Sequence, residues 1–541
     1  MAVDTSMNVA IKAASYNMVL QIVFRFGTFF MNAILLRYIS REILGIVNVR
    51  LTLLYTTILF ISREPFRKAC LSRSENANKS KSNEKGTINL IWICMVVGFV
   101  SSFCLSLLWI YCFEQPSVSL IPQYKRCTIL FAFSCLHELL IEPLWIYGQR
   151  FSFITLKVVL EGVFVTLRCV LSVILVIFVP NLGLYAFGIA FVISSLVYVA
   201  LYYGYFWWYI KSSFKEEDKI LPFTNFKELF PDFTTPCDLH YRNLVLSFYK
   251  QSLLKQFLTE GERYIMTVFS ILSFAEQGVY DVVNNLGSLA ARFIFMPIEE
   301  SYYTYFSQVL MRGKNAKEHS VEQLNKAIIS LCIVLKFVSL IGLIIVVFGY
   351  SYSFLLLDLY GGKILSAGEG PTLLKTYCVY VLIIAINGIT ECFMFAVMSK
   401  EQINKYNYKM MIFSVAFLVA SLMLTKYFGS LGFILANCLN MFLRIIESVF
   451  FIKRFFKDSS RNPLVSIIPT KGVMLSLLLS FIFTVASEGF VGSASNPIYQ
   501  LVHVVVGGVC LVMVAAAIYL TEHEFILFVT NLLQQKKNKT E

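Results

Sequence analysis

Charged residues are scarce in this sequence. Asp, Glu, Lys and Arg make up 15% of its 541 residues, whereas about 25% is usual in a soluble protein. Hydrophobic residues account for 57%, and the mean hydropathy is +0.69. A water-soluble fold of this size is therefore excluded. Because each crossing needs about 20 apolar residues, the composition predicts an all-α polytopic membrane protein.

The patterns that hold metals, cofactors and disulfides are also missing. The 13 cysteines contain no C-x-x-C pair and lie mostly in apolar runs, so we interpret them as reduced packing residues. The five histidines lack a ligand spacing such as H-x-x-x-H, and no G-x-x-x-x-G-K-[ST] loop is present. We therefore expect neither a metal nor a cofactor.

Fourteen apolar stretches follow one another along the chain. They lie near 16–38, 43–62, 88–112, 124–147, 154–178, 184–209, 247–271, 277–298, 322–349, 372–398, 410–427, 430–452, 469–487 and 498–520. They predict about 14 transmembrane helices, arranged as two six-helix bundles plus two extra helices. The expected domains are an N-terminal bundle at 1–209, a polar connector at 210–245, a C-terminal bundle at 246–456, and the two extra helices with a basic tail at 457–541.

The positive charges indicate an orientation. The loops after even-numbered stretches contain 24 Lys and Arg, whereas Arg41, Lys363 and Lys426 are the only ones assigned to the loops after odd-numbered stretches. Basic residues collect in cytoplasmic loops, so we expect the even loops and both termini to be cytoplasmic. This location explains the net charge of +13 without nucleic acid as a partner. The tail residues Lys537 and Lys539 then resemble a dilysine retrieval signal of endoplasmic-reticulum membrane proteins.

Two short matches indicate a parallel internal repeat. Residues 44–49 (LGIVNV) match 277–282 (QGVYDV) at an offset of 233, and the Gly, Phe and Ala of 183–190 recur in 429–436. Both matches join stretches six apart. Since six is even, the two bundles have the same orientation, as in many transporters built from repeats.

Polar residues inside stretches 1, 2, 7 and 8 predict a hydrated cavity, because each must face protein or water. They recur at helical spacing on one face of each stretch, except that Arg50 lies on another face of stretch 2. The cations assigned to head-group binding are Arg25, Arg37, Arg50, Arg63, Lys255, Arg263 and Arg292. The other polar residues assigned to the cavity are Gln21, Asn32, Glu260, Asp281 and Glu299. The alternative is that these charges form internal salt bridges.

The arginines suggest the kind of ligand. Guanidinium groups pair bidentately with phosphate and stay charged when partly buried, so the predicted ligand is anionic and phosphate-bearing. The last two stretches are almost uncharged, and we expect them to form an apolar wall for a lipid tail. Two other pairs, Lys157/Glu161 and Arg444/Glu447, are predicted to form ion pairs within their own helices. Glu138 and Glu142 suggest either an interfacial structural site or, with His137, a proton relay.

An enzyme is not expected. Membrane glycosyltransferases that use lipid-linked sugars place acidic catalytic residues in a large first lumenal loop. The corresponding loop here, at about 39–43, offers only Glu42, and the lumenal side shows no catalytic constellation.

Three blocks resemble the Rft family of endoplasmic-reticulum proteins, which belongs to the oligosaccharidyl-lipid flippase group. They are the long block at 48–69, from Asn48-Val49-Arg50-Leu51 to Phe66-Arg67-Lys68-Ala69, and the blocks at 299–303 (EESYY) and 387–393 (NGITECF). The resemblance runs from about residue 10 to 520. It implies a fold similar to MurJ-type flippases and MATE exporters. The positions that match the family's motifs are Arg50, Arg63, Glu64, Arg67, Glu299, Tyr303 and Glu391. By this match, Arg67 joins the residues expected to bind the head group, and Glu64, Tyr303 and Glu391 join the polar residues of the cavity.

The resemblance also implies a role in protein N-glycosylation. The family is linked to moving the mannose-rich dolichyl-diphosphate oligosaccharide from the cytoplasmic to the lumenal leaflet. The expected partners are this glycolipid, membrane lipids and the N-glycosylation machinery. The alternative is an accessory factor that binds the glycolipid or supports lumenal mannosylation, because a flippase fold need not flip.

Overall fold

The computed structural model describes residues 20, 23–24, 26–71, 84–212, 221–223, 225–232, 234–236, 239–457, 462–491, 497–522 and 526. Regular structure within these ranges is helical, without a strand. The helices are α1 Phe26–Leu35, α2 Arg41–Leu71, α3 Glu84–Tyr111, α4 Ile121–Leu140, α5 Glu142–Arg150, α6 Ile154–Phe178, α7 Tyr185–Ser212, α8 Leu239–Thr259, α9 Gly261–Phe269, α10 Phe274–Gly287, α11 Met296–Val309, α12 Val321–Gly361, α13 Lys363–Ser366, α14 Gly370–Val397, α15 Lys400–Phe428, α16 Leu431–Phe455, α17 Lys471–Val491 and α18 Pro497–Thr521. Shorter turns are π-helical at Ile46–Leu51 (within α2) and Ala291–Phe295, and 3-10 at Pro180–Leu182, Phe226–Leu229, Ala316–Glu318 and Pro463–Ile467.

The chain is a multi-pass helical membrane protein. In the described part, ten helices are long and apolar enough to cross a membrane, or eleven if the bent pair α4 and α5 forms one crossing. The predicted stretches 16–38, 247–271 and 277–298 are not among them. The latter two are helical but interrupted, and they carry charges such as Arg263 and Asp281, which lower their hydropathy. The number fourteen therefore stays a prediction.

Local sequence signals explain where several helices begin and end. Ser320 and Ser399 accept hydrogen bonds from the backbone N–H groups of Gln323 and Gln402, the third residues of α12 and α15, and the side chains of these glutamines complete each capping box. Both helices stop at a glycine with positive φ, Gly362 (+65°) and Gly429 (+57°), where a side chain would be strained. Between α4 and α5 the axis bends by 42°, next to Pro143, which removes one backbone donor.

The described residues form two compact units that divide between Gly278 and Val279. In the first unit, α8 and α9 contact α2: the hydroxyl of Tyr249 donates to the carbonyl of Ile61 at 2.8 Å, and Tyr264 and Thr57 share a hydroxyl–hydroxyl bond of 2.8 Å. The predicted C-terminal bundle begins earlier, at residue 246, and that domain boundary stays a prediction.

Part of the connector is docked on the first unit. The Asn89 amide on α3 donates to the carbonyls of Asp232 and Thr235 at 2.6 and 2.8 Å, and its oxygen accepts from the Asp232 backbone N–H at 2.8 Å. The Trp92 indole donates to the carbonyl of Leu229 at 2.9 Å. Leu229 is buried in the same apolar cluster as Phe223, the N-terminal end of α3 and the C-terminal end of α7. The described connector residues are thus fixed by both apolar burial and hydrogen bonds.

In the second unit, α14 packs against α11, α12 and α16. The two extra helices, α17 and α18, pack against α12 through an apolar cluster around Leu340, Val347 and Val514. An ion pair joins Lys336 of α12 to Glu522, with 2.6 Å between Nζ and Oε2. The outward faces of α17 and α18 expose large apolar side chains, and the expected contact with a lipid tail stays a prediction.

Candidate functional site

An ion cluster lies within the first unit; we call its residues Tyr55, Arg63, Arg67, Glu138 and Glu142 the N-unit cluster. Arg67 binds Glu142 bidentately, at 2.7 Å from Nε and 2.6 Å from Nη2. Arg63 lies 3.3 Å from Glu138 and 4.0 Å from Glu142, and the Tyr55 hydroxyl also donates to Glu138. Glu138 and Glu142 are only 5% and 2% exposed. Each buried carboxylate is therefore compensated by an arginine.

The surroundings hold this cluster in place. The Arg67 guanidinium stacks 3.6 Å from the ring centroid of Trp145, a cation–π contact. His137 contacts the Ser195 hydroxyl at 3.0 Å instead of either carboxylate. Charges removed from water are tolerated when they are paired and hydrogen-bonded. The geometry of Glu138 and Glu142 is thus that of an ion-paired structural site.

Arg50 occupies a different environment. It lies in the π turn of α2 and is 0% exposed. Its Nη2 is 3.6 Å from Glu114, and its guanidinium lies 5.0 Å from the ring centroid of Phe274. Its three guanidinium nitrogens have no hydrogen-bond partner among the described residues. Arg50 therefore relies on one long ion pair and aromatic contacts.

Most other predicted cavity residues make local contacts. Arg263 binds Glu260 at 3.0 Å, and Asp281 accepts from the Asn285 amide at 3.0 Å. Exposed Arg292 donates to the carbonyl of Asn285 at 2.8 Å.

The remaining predicted residues divide into two groups. Asn32 in α1 and Arg37 in the turn after it are exposed, and Glu64 lies 3.9 Å from Lys68. Gln21, Arg25, Lys537, Lys539 and the side chain of Lys255 lie outside the described residues. Head-group binding by the arginines stays a prediction.

The second unit contains a cavity of about 580 Å³ between α11, α14 and α16, which we call the C-unit cavity. The carboxylate of Glu391 on α14 accepts hydrogen bonds from two other helices. Arg444 of α16 binds it bidentately, and the Tyr406 hydroxyl of α15 donates to it at 2.6 Å. The Asn387 amide also donates to Glu391, at 3.2 Å. This carboxylate is fully engaged.

Glu299 and Tyr303 line the same cavity from α11. Gly388 allows Glu299 to approach α14 closely, because a Cβ built on this glycine would fall 1.8 Å from Glu299 Oε1. The Tyr303 hydroxyl accepts a hydrogen bond of 2.8 Å from Arg312. In the described part of the chain, the Glu299 carboxylate forms no hydrogen bond or ion pair. Three residues predicted from their motifs, Glu299, Tyr303 and Glu391, thus meet at one cavity.

The two predicted intrahelical ion pairs are wrong. Arg444 binds Glu391 on another helix, and Glu447 instead binds Lys409 at 2.8 Å.

Trp145 contacts both members of the other predicted pair. Lys157 lies 4.8 Å from its ring centroid, and Glu161 accepts from its indole at 3.3 Å. A surface i,i+4 pair contributes only about 0.3–0.5 kcal/mol, so contacts between helices prevail. Sequence spacing gave no signal for these partners.

Comparison with known proteins decides the family. The family model described as "Rft protein" matches residues 9–532. The chain belongs to the Rft family. A relative from Xenopus tropicalis, named "Man(5)GlcNAc(2)-PP-dolichol translocation protein RFT1", is 45% identical over 98% of both chains. The protein of the same name from Mus musculus is 42% identical over 98% of this chain and 97% of its own.

Solved structures share the fold of this Rft family member. The chain is similar to "Lipid II flippase MurJ, inward closed conformation", with a TM-score of 0.58 and 12% identity over 93% of this chain and 98% of that one. It is also similar to an inward-facing MATE family multidrug resistance transporter of the MOP superfamily, with a TM-score of 0.54 and 13% identity over 84% of this chain and 100% of that one. The fold is therefore that of the MurJ and MATE transporters, as predicted.

Proposed function

We propose that this chain is a glycolipid flippase that moves Man5GlcNAc2-PP-dolichol from the cytoplasmic to the lumenal leaflet of the endoplasmic reticulum. The observation that carries the proposal is 45% identity, over 98% of both chains, to a relative named for translocation of this glycolipid. The fold shared with MurJ and MATE proteins supports a transporter. The proposal includes cytoplasmic termini and no catalytic activity.

A second candidate is an accessory factor that binds the glycolipid or supports lumenal mannosylation without moving the lipid. The N-unit cluster favours it, because Arg63 and Arg67 are already paired with buried Glu138 and Glu142. An arginine that binds a phosphate group would have to leave such a partner. Breaking a buried pair is costly, at about 3–5 kcal/mol.

Reconstitution tests the proposal. The purified full chain is placed in vesicles that contain Man5GlcNAc2-PP-dolichol in both leaflets, and an external mannose-binding lectin reports how fast the inner pool becomes accessible. We expect faster exchange than in empty vesicles. Arg292→Ala, which removes a predicted head-group contact, is expected to slow this exchange. Arg454→Ala, which changes an exposed arginine in the last turn of α16, serves as the matched control.

The outcomes separate the two candidates. Exchange that is fast with the full glycolipid and absent for phosphatidylcholine supports a head-group-selective flippase. No acceleration by folded protein that still binds the glycolipid would refute the flippase and favour the accessory role.

A further inference from the structure

We propose that the C-unit cavity is a carbohydrate subsite that binds mannose units of the glycolipid's oligosaccharide through their hydroxyl groups. This inference rests on the proposed function, since it assigns part of that substrate to one place in the chain. It concerns the second unit alone. It assigns to Glu299, Tyr303 and Thr304 a direct contact with sugar.

The cavity wall has more hydrogen-bond acceptors than donors. Glu299 contributes a half-buried carboxylate, which in its ionised form accepts hydrogen bonds and donates none. Asn387 is 5% exposed, its amide N–H group donates to Glu391, and its oxygen has no hydrogen-bond donor within the part of the chain that the structure describes. The guanidinium of Arg444 is already bound to Glu391. Buried acceptors without donors are uncommon and call for a partner.

A sugar supplies what this wall lacks. Each pyranose hydroxyl is a donor as well as an acceptor, and a hydrogen bond to a carboxylate is about twice as strong as one between neutral groups. The cavity also offers the rings of Tyr303 and Phe395, on which the C–H face of a pyranose can pack. Charged acceptors beside aromatic rings therefore favour a neutral polyhydroxyl ligand.

The size of the cavity argues in the same direction. At about 580 Å³ it falls within the 300–1,000 Å³ typical of small-molecule pockets, and it is far larger than a single bare cation requires. The close approach of Glu299 to Gly388 keeps the carboxylate against the wall, so that the space between α11 and α16 stays open. The phosphate groups, which these carboxylates would repel, must bind elsewhere.

The test compares two head groups in the vesicle assay. One lipid carries Man5GlcNAc2 and the other only GlcNAc2, both on dolichyl diphosphate, and mannose- and GlcNAc-binding lectins report their exchange. Glu299→Ala is expected to slow the exchange of the mannose-bearing lipid about tenfold relative to the short one. Glu299→Gln, which keeps an acceptor oxygen, should restore most of the rate.

Matched controls isolate the effect. Thr304→Val removes a cavity hydroxyl, while Thr376→Val removes one that likewise donates to the carbonyl four residues earlier, but outside the cavity. Glu401→Ala removes an exposed carboxylate at the start of α15. Of these three changes, only Thr304→Val should lower the exchange rate of the mannose-bearing lipid. If Glu299→Ala is not monodisperse in detergent, Thr304→Val carries the comparison.

Binding of free oligosaccharide separates failure of the inference from failure of the proposed function. Saturation-transfer NMR on the full chain in nanodiscs uses free Man5GlcNAc2 and free GlcNAc2 as probes. Binding of the mannosylated probe that weakens about tenfold in Glu299→Ala supports the subsite even if the wild type exchanges no lipid.

Two results would overturn the inference. One is that Glu299→Ala slows the exchange of both lipids equally, or of neither, while the wild type exchanges them normally. The other is a Glu299→Gln variant as slow as Glu299→Ala, together with loss of wild-type exchange when choline replaces Na⁺ and K⁺. That pattern would identify a cation site.

Discussion

Gly45 and Gly278 are in backbone contact: a Cβ built on Gly278 would fall 2.6 Å from the amide nitrogen of Gly45. The two glycines occupy equivalent positions in the predicted repeat, at the start of the matching segments 44–49 and 277–282. Small residues allow membrane helices to approach this closely. Equivalent positions of the predicted repeat thus lie against each other.

Gly45→Ala should be poorly tolerated. The added methyl group would lie 1.8 Å from the carbonyl oxygen of Phe274, so the helices must separate, at a cost of about 1–3 kcal/mol. Thermal unfolding in detergent measures the loss. Gly204→Ala on α7 is the control, because its Cβ would meet nothing within 4 Å. It should be neutral or stabilising, and equal effects of the two changes would contradict the close contact.

Arg67→Ala should destabilise the first unit, because it leaves the buried Glu142 carboxylate without its bidentate partner. A cost of about 3–5 kcal/mol is expected, measured by chemical or thermal unfolding. The control is Lys326→Ala, which breaks an exposed pair of the same 2.6 Å length with Glu322; its cost should be about 0–1 kcal/mol. Similar losses would show that burial does not govern the N-unit cluster.

Removing both members of the Glu391–Arg444 pair should be less harmful than removing one. Glu391→Leu leaves the Arg444 guanidinium uncompensated, and Arg444→Met does the same to the carboxylate, whereas the double variant leaves neither charge. A double-mutant cycle on unfolding free energies measures this coupling. The more exposed Lys409–Glu447 pair is the reference and should show little coupling. Strict additivity at Glu391 and Arg444 would contradict the expectation.

Asn89→Ala should release the docked connector, because one amide holds the backbone of both Asp232 and Thr235. Trypsin cleavage after Lys227 is expected to accelerate about tenfold, as hydrogen bonds worth roughly 1 kcal/mol each are lost. Asn407→Ala on the exposed face of α15 is the control. Unchanged cleavage would mean that apolar burial alone fixes the connector.

The same connector should loosen only in acid. The hydroxyl and backbone N–H of Thr234 hold the pKa of Asp232 below its usual value. A carboxyl group with a lowered folded-state pKa stabilises the fold above its unfolded pKa, about 3.9, and this contribution disappears as pH falls through the lower folded value. Hydrogen exchange in 225–236 should therefore be flat from pH 7 to 5, after correction for intrinsic rates, and rise below about 4. Thr234→Val should shift that rise upward.

Hydropathy predicts the long apolar helices well, and the repeat and motifs predict the family and fold. The sequence does not predict which side chains contact one another between helices at the candidate site. Glu391 was identified from its motif, yet its partners Arg444 and Tyr406 lie on other helices, and sequence spacing carries no information on contacts between helices. The π turn at Ile46–Leu51 has no sequence signature either. This turn directs Arg50 into the protein interior, whereas an unbroken α-helical period would place it on another face of the helix.

The length of α12 sets a condition on the membrane itself. Between Lys336 and Asp358 it has 21 residues without a charge, which span about 32 Å at 1.5 Å per residue, close to the 30 Å thickness of a bilayer's hydrocarbon. The Lys336–Glu522 pair therefore marks one edge of that slab. A thick, sterol-rich bilayer would match this length with the helix upright, whereas the thinner bilayer of the early secretory pathway requires α12 to tilt so that the pair stays at the surface. Hydrophobic matching at α12 would thus not hold the chain in thin membranes, and the tilt of this helix should change with bilayer thickness.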